Sequence, residues 1–470
     1  MAQVVIVGGG IVGLGLGMML ARDSHDVLQL ERDPQPPPDE VDLAWDDWRR
    51  RGVTQFRLGH YFLPRWRDIM ETEVPGLIPA MEAAGALRSN PLLEAPEQLH
   101  GGARPGDDRY TLVTGRRAMV EKVTADLAER TPGMTVHRGS AVTGLTTGSQ
   151  VIKGVPHVTG VQTEHGTEIT ADVVIDASGR RSALPSWLEA AGARPPLEEA
   201  EDSGFTYYGR HFRSEDGSTP MSLGGKLQNY GSISSLTLDA DHGTWSVILV
   251  VRSDDAALRG LKDVTTWEKV VRSLPTVAHW IDGEPLEDRI AIMSKIEDRI
   301  RHLTLDDRPL ATGLLVTGDS WACTNPSLGR GVSIGTMHAV VARDCIRAAA
   351  DPGSLAEAYA TATAEVVQPW YQSTLAFDTP RLAEMGRNIE GITDGELPPD
   401  YEMARAMDTA MLQDPDCLRA MLDVLTLQEL PEVVLARPGI RDKVIELGGS
   451  WRDRPPMGPD RAALVAVVNS

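Results

Sequence analysis

The 470-residue sequence predicts an α/β protein in which a discontinuous α/β domain is interrupted by an antiparallel β-rich block and followed by helices. Three observations carry this reading. The chain opens on a strand, a glycine-rich turn, a helix and a second strand. A strongly β segment lies mid-chain between Ser203 and Arg252. A strand–helix pair returns at Leu314 to Ala350, and the pattern beyond it is helical.

Each element has a local cause. Gln3 to Gly8 is a β-branched run and reads as a buried strand. Ile11 to Ala21 is apolar on nearly every face, as in a buried helix. Val27 to Glu31 is the second strand, and the prolines between Asp33 and Pro38 enforce an extended loop. Ala44 to Arg51 and Arg65 to Met70 read as short helices, Arg116 to Glu129 as an amphipathic one. Thr135 to Ala177 alternates around Val142, Val158 and Val173. Phe205 to Phe212 and Thr244 to Val251 read as long antiparallel strands. After Ser354 the helices are expected to break at Pro380, at Pro398-Pro399 and at Pro455-Pro456. No internal repeat is present.

Composition bounds the function. Lys and Arg number 46 against 67 Asp and Glu, a net charge of −21. Nucleic acid and anionic membrane surfaces are therefore poor partners. The longest apolar run, Ile11 to Leu20, is far shorter than the roughly 20 residues of a membrane span. No basic segment precedes the first strand, so no signal peptide is expected. Cys323, Cys345 and Cys417 have neither metal-ligand nor paired spacing, which points to a reducing, cytoplasmic setting without disulfides. No clustered His, Asp or Glu spacing suggests a metal, and no Gly-x-Ser-x-Gly elbow suggests a hydrolase.

The sharpest motif is Gly8-Gly9-Gly10-Ile11-Val12-Gly13, a G-x-G-x-x-G between a strand and a helix. Gly8 permits the tight turn, Gly10 the approach of a pyrophosphate, and Gly13 close helix–strand contact. The helix start offers free N–H groups to phosphate. Glu31, 18 residues on and followed by Arg32, can accept hydrogen bonds from a ribose diol. Alone, this does not separate NAD from FAD. Two later segments do: Val173-Val-Ile-Asp176-Ala-Ser-Gly179, and Leu315-Val-Thr-Gly318-Asp319-Ser320 followed by Asn325-Pro326-Ser-Leu-Gly329-Arg-Gly331.

On these residues, from Val4 to about Ala350, the sequence resembles the p-hydroxybenzoate hydroxylase-like FAD-dependent monooxygenases. The resemblance implies a Rossmann-like FAD-binding domain of the GR2 type with an inserted antiparallel β-sheet substrate domain and C-terminal helices. The expected divisions are 1–75, 100–190 and 305–365 for the FAD domain, 76–99 and 191–304 for the substrate domain, and 366–470 for the helical region, which caps the pocket or forms an oligomer surface. The expected FAD contacts are the glycine loop, Glu31 and Arg32, then Asp176, Gly179, Gly318, Asp319, Pro326, Gly329, Gly331 and Val332, with Val142 beside them. Asp319 suits the ribityl chain, and the helix starting near Gly331 suits the flavin pyrimidine edge. Arg50, in Arg50-Arg51-Gly52-Val53, resembles the arginine near the diphosphate, and Arg117 the one facing the flavin.

His60 is the candidate catalytic residue, against the reading of a satisfied core histidine. Tyr208, Arg210 and Phe212 share one face of a strand and are the expected substrate wall, against core packing. Trp321 and Cys323 stand where many family members carry a histidine. Asp176 is followed by Ala-Ser before its glycine, a variation that resembles the epoxidase-like and halogenase-like branches. Halogenases need an early lysine and a Trp-x-Trp-x-Ile-Pro signature; here the first lysine is Lys122, and Thr244-Trp-Ser-Val-Ile-Leu249 lacks the rest.

The activity implied is transfer of one oxygen atom from O2, through a flavin C4a-hydroperoxide, to an aromatic or alkene-containing small molecule by hydroxylation or epoxidation. NADH or NADPH would bind transiently, because no second complete Rossmann unit is present, or a partner reductase would supply the electrons. The alternative is an FAD-dependent reductase or dehydrogenase without oxygen insertion.

Overall fold

The computed structural model describes residues 1–53, 55–392, 395–453 and 457–470. The chain begins with β1 (Gln3–Val7), α1 (Ile11–Arg22) and β2 (Asp26–Glu31). There follow α2 (Arg117–Glu129), β3 (Met134–Arg138) and β4 (Val173–Asp176). The mid-chain strands are β5 (Phe205–Arg213), β6 (Ile233–Asp239) and β7 (Thr244–Arg252). After β8 (Leu314–Val316) come the helices α3 (Gly331–Ala348), α4 (Gln368–Glu390), α5 (Pro399–Ala410) and α6 (Pro415–Leu425).

The central sheet is parallel, in the order β8-β4-β1-β2-β3. Its strands are apolar on both sides because helices cover both faces. In the register Val5 pairs with Leu28 and Val174, so the ends of β1 and β4 lie side by side. The second sheet is antiparallel and built on β6-β7-β5. Both its faces are covered. Tyr208 and Phe212 pack with Trp245, Trp267 and Trp280 on one side. Phe205, Tyr207, Leu236, Leu238 and Ile248 form the other.

Two expectations need correction. The helix expected from Ala44 to Arg51 forms earlier, over Val41–Asp46. The chain leaves it so that Arg50 can reach inward to the carbonyl of Gly9. Pro380 does not break the helix but lies inside α4. The ring and the lost N–H cost about 3 kcal/mol, offset by the buried anchors Thr374, Asp378, Arg381 and Met385 on the same helix. The break expected at Pro398-Pro399 is present: α4 ends at Glu390 and α5 begins at Pro399, in a first turn where its missing N–H is harmless. Pro455-Pro456 lies outside the described residues.

The two sheets are tied by a buried ion pair. Asp241, in the β6–β7 turn, accepts from the Arg116 backbone N–H at 2.6 Å and from its guanidinium at 2.7 and 3.0 Å. Both side chains are at most 1 % exposed. Breaking this pair leaves Arg116 only the half-exposed Asp42, at 2.8 Å, and costs about 3 kcal/mol, the low end for a buried pair. Asp241→Ala is expected to lower unfolding free energy by about that amount in urea titration, and Asp241→Asn by less, since Asn still accepts from Arg116.

Candidate functional site

A cavity of about 2000 Å³ begins over the ends of β1, β2, β4 and β8 and continues under the antiparallel sheet. The glycine loop and the first turn of α3 border its first part. Tyr207, Leu236, Leu238 and Ile248 border the second, and α4, α5 and α6 close it.

At the loop, Gly8 has φ +103°, and a Cβ there would lie 2.5 Å from the Ala177 carbonyl oxygen. A Cβ at Gly13 would lie 2.4 Å from the carbonyl oxygen of Gly8. A Cβ at Gly10 would meet nothing within 4 Å, because it opens on the cavity. Gly10 also caps α1 without a side-chain acceptor, so the first N–H groups of the helix await one.

Glu31 closes the loop from beside. Its two oxygens accept from the N–H groups of Gly9 and Asp33, each at 2.8 Å. Arg50 donates to the Gly9 carbonyl at 2.8 Å and to Glu31 at 3.3 Å. Behind the wall, Glu121 holds Arg50 Nε at 3.0 Å and Arg117 Nε at 2.7 Å. Arg50 Nη1 is buried without a hydrogen-bond partner. Burial and the neighbouring Glu31 raise the pKa of Asp33.

The glycine-loop positions Gly8, Gly10, Ile11, Val12 and Gly13 all border the cavity, as do Glu31, Arg32, Arg50, Arg117 and Val142. So do Gly179, Gly318, Asp319, Pro326, Gly329, Gly331 and Val332. Burial raises the Asp319 carboxyl above its usual range, against the pull of Arg180, Arg117 and Arg299. Asp176 does not border the cavity. It is buried beneath the Ala177–Ser182 turn, accepting from Ser178 N at 2.9 Å, Ser178 Oγ at 2.6 Å and Ser182 Oγ. It therefore shapes the turn that presents Gly179.

The expected substrate wall is corrected by one residue. Tyr208 and Phe212 lie in the tryptophan-lined core. Arg210 is held by Glu268 at 2.7 Å and the Glu287 carbonyl at 2.8 Å. Their neighbour Tyr207 borders the cavity instead. Its hydroxyl donates to Asn325 Oδ1 and lies 2.5 Å from Ser327 Oγ.

His60 borders the cavity. Burial, helped by Arg117, drops its pKa to about 3. Its Nδ1 lies 2.9 Å from the Leu58 carbonyl oxygen, which can only accept, so Nδ1 carries the proton and Nε2 is an acceptor. Neutral at working pH, His60 cannot serve as a charged acid.

Residues 3–215 match the family model described as FAD dependent oxidoreductase. Among solved structures, PqsL, a probable FAD-dependent monooxygenase from Pseudomonas aeruginosa, aligns with TM-score 0.60 at 15% identity, over 82% of this chain and 99% of that one. The flavin-dependent brominase Bmp2 aligns with TM-score 0.63 at 16% identity, over 94% and 98%. The fold is that of the FAD-dependent, p-hydroxybenzoate hydroxylase-like oxidoreductases. The protein Rv3254 of Mycobacterium tuberculosis (strain ATCC 25618 / H37Rv) is 25% identical over 396 residues, 79% of each chain.

The residues around this cavity fit FAD. The space beyond Gly10, the uncapped start of α1 and the unpartnered Arg50 Nη1 suit a diphosphate. A Cβ at Gly331 would likewise meet nothing, and α3 starts there without a side-chain cap, which suits the approach of a flat ring. No group of three or more His, Cys, Asp or Glu suited to a metal is found among the described residues. No helix among them is long and apolar enough to cross a membrane.

Three substitutions test this site. Gly10→Ala, compatible with its φ of −85°, is expected to leave the melting temperature of the apoprotein unchanged but to reduce retained FAD. Gly13→Ala is expected to lower both, since its Cβ collides with backbone. His60→Asn is expected to leave the pH dependence of kcat/KM between pH 5 and 8 unchanged in shape, because His60 has no ionisation in that interval.

Proposed function

We propose that this protein is an FAD-dependent monooxygenase that inserts one oxygen atom from O2 into an aromatic or alkene-containing small molecule. The observation that carries this reading is the continuity of the cavity. It joins the glycine loop and the start of α3 to an apolar sheet face closed off by C-terminal helices. A dinucleotide reductase needs the first part; a dry compartment at the ring end serves oxygen transfer.

Bound FAD supplies the redox chemistry, activating O2 once reduced. The chain's residues do the rest. Arg50 and the start of α1 would hold the diphosphate. The N–H groups and positive dipole end of α3 would stabilise negative charge on a ring bound at Gly331. Leu236, Leu238 and Ile248 exclude water around the substrate. His60 Nε2 offers a fixed acceptor, and no acid–base pair is required of the protein. Electrons would come from transiently bound NADH or NADPH, or from a partner reductase.

The likeness to a brominase does not extend to the lysine that halogenation needs. Lys226, the lysine bordering the cavity among the described residues, is paired with Asp239 and lies over Trp280 at 5.5 Å. The competing reading is a reductase or dehydrogenase without oxygen insertion. Turnover under ¹⁸O2 separates them: one ¹⁸O atom in the product supports the monooxygenase. Substrate conversion coupled to flavin reduction, with no label in the product, contradicts it.

A further inference from the structure

Arg381 lies on α4 and borders the cavity, yet its residue is only 2 % exposed. Nη1 donates to Ser327 Oγ at 2.8 Å and lies 3.4 Å from Asp378 Oδ1. The guanidinium sits 4.8 Å from the Phe205 ring centroid. Ser327 Oγ also accepts from Asn325 Nδ2 at 3.0 Å. The Tyr207 hydroxyl donates to Asn325 Oδ1, which leaves the Ser327 proton for Tyr207 Oη. Both hydroxyl protons are thus spent inside this ring, and Arg381 is locked in place.

Its other end is unspent. Nη2 is buried and has no hydrogen-bond partner. A buried charged donor left without a partner is costly. The nearby acids do not relieve it. Asp378 forms a buried ion pair with Nη1 at 3.4 Å but does not reach Nη2, and Glu384, one turn on, accepts from Tyr401 at 2.6 Å. A second donor on the same cavity, the Tyr61 hydroxyl, is also buried and unpartnered. A preorganised guanidinium with a free Nη2 matches a carboxylate better than any neutral group. The wall beside it, Leu236, Leu238, Ile248 and Met293, is apolar.

We infer that the substrate is an acid: a carboxylate carried on an apolar aromatic or alkene-bearing body, its carboxylate docked on Arg381. This rests on the proposed monooxygenase reading only for what happens at the other end of the molecule.

The test is calorimetric titration of the FAD-loaded protein with a matched pair, 2-naphthoate and 2-naphthamide. The acid is expected to bind about 10- to 100-fold more tightly than the amide. Arg381→Gln is expected to abolish the preference while leaving FAD content unchanged, and Arg381→Lys to keep part of it. Should Arg381→Gln not fold, Arg381→Lys and Tyr61→Phe are read instead, each with a smaller preference. Equal binding of the pair, binding of neither, or a preference that survives Arg381→Gln overturns the inference. So does loss of FAD from Arg381→Gln with the preference retained, which assigns the arginine to the cofactor. A wild-type protein that takes up no FAD defeats the monooxygenase reading, while the same titration of the apoprotein still decides the acid preference.

Discussion

Where β1 hands over to α1, backbone meets backbone with no room for a side chain. The carbonyl of Gly8 touches the helix at Gly13, and Gly8 itself presses on the turn that follows β4. This crossing sets the first turn of α1 over the end of the sheet, and it brings the Ala177–Ser182 turn alongside. Asp176 braces that turn from below, and Ser320 Oγ links it onward by accepting from Gly179 N at 2.8 Å. The glycine loop, the mid-chain turn and the Gly318–Ser320 turn thus converge at one place because three strand ends are in register.

Charge then fixes the side chains around that point. Glu31, Arg50, Glu121 and Arg117 form a buried chain of alternating sign, each held by the next. Buried ions survive only when paired in this way. The chain positions two arginines at the cavity wall while its inner carboxylate, Glu121, stays out of the cavity. At the far end, Arg381 is held by neutral partners in a ring with Tyr207, Asn325 and Ser327. Asp378 pairs with its Nη1 at 3.4 Å, and Nη2 is left without a hydrogen-bond partner.

Much of this is legible in the residues. The glycines are readable because their constraint is local: a tight turn and a close backbone approach admit nothing else. The order of strands follows from the opening βαβ unit and the returning strand at Leu314. The parity of β5 is not readable, since both faces of that strand are buried and alternation no longer marks one side. Tyr208, Arg210 and Phe212 were therefore an even choice against Tyr207. Glu121 was within reach, four residues from Arg117 on one helix face. Arg381 carried no signal, because its role depends on Ser327, 54 residues away in sequence. Pro380 misleads as a helix breaker because buried neighbours outweigh its local cost.

The most direct measurement is the visible spectrum of the purified full-length protein, with assay of the flavin released on denaturation. A flavin spectrum with close to one FAD per chain, reduced in proportion by Gly10→Ala, is the predicted result. A colourless protein that takes up no FAD when it is supplied contradicts the assignment of the glycine loop and of the cavity it opens into.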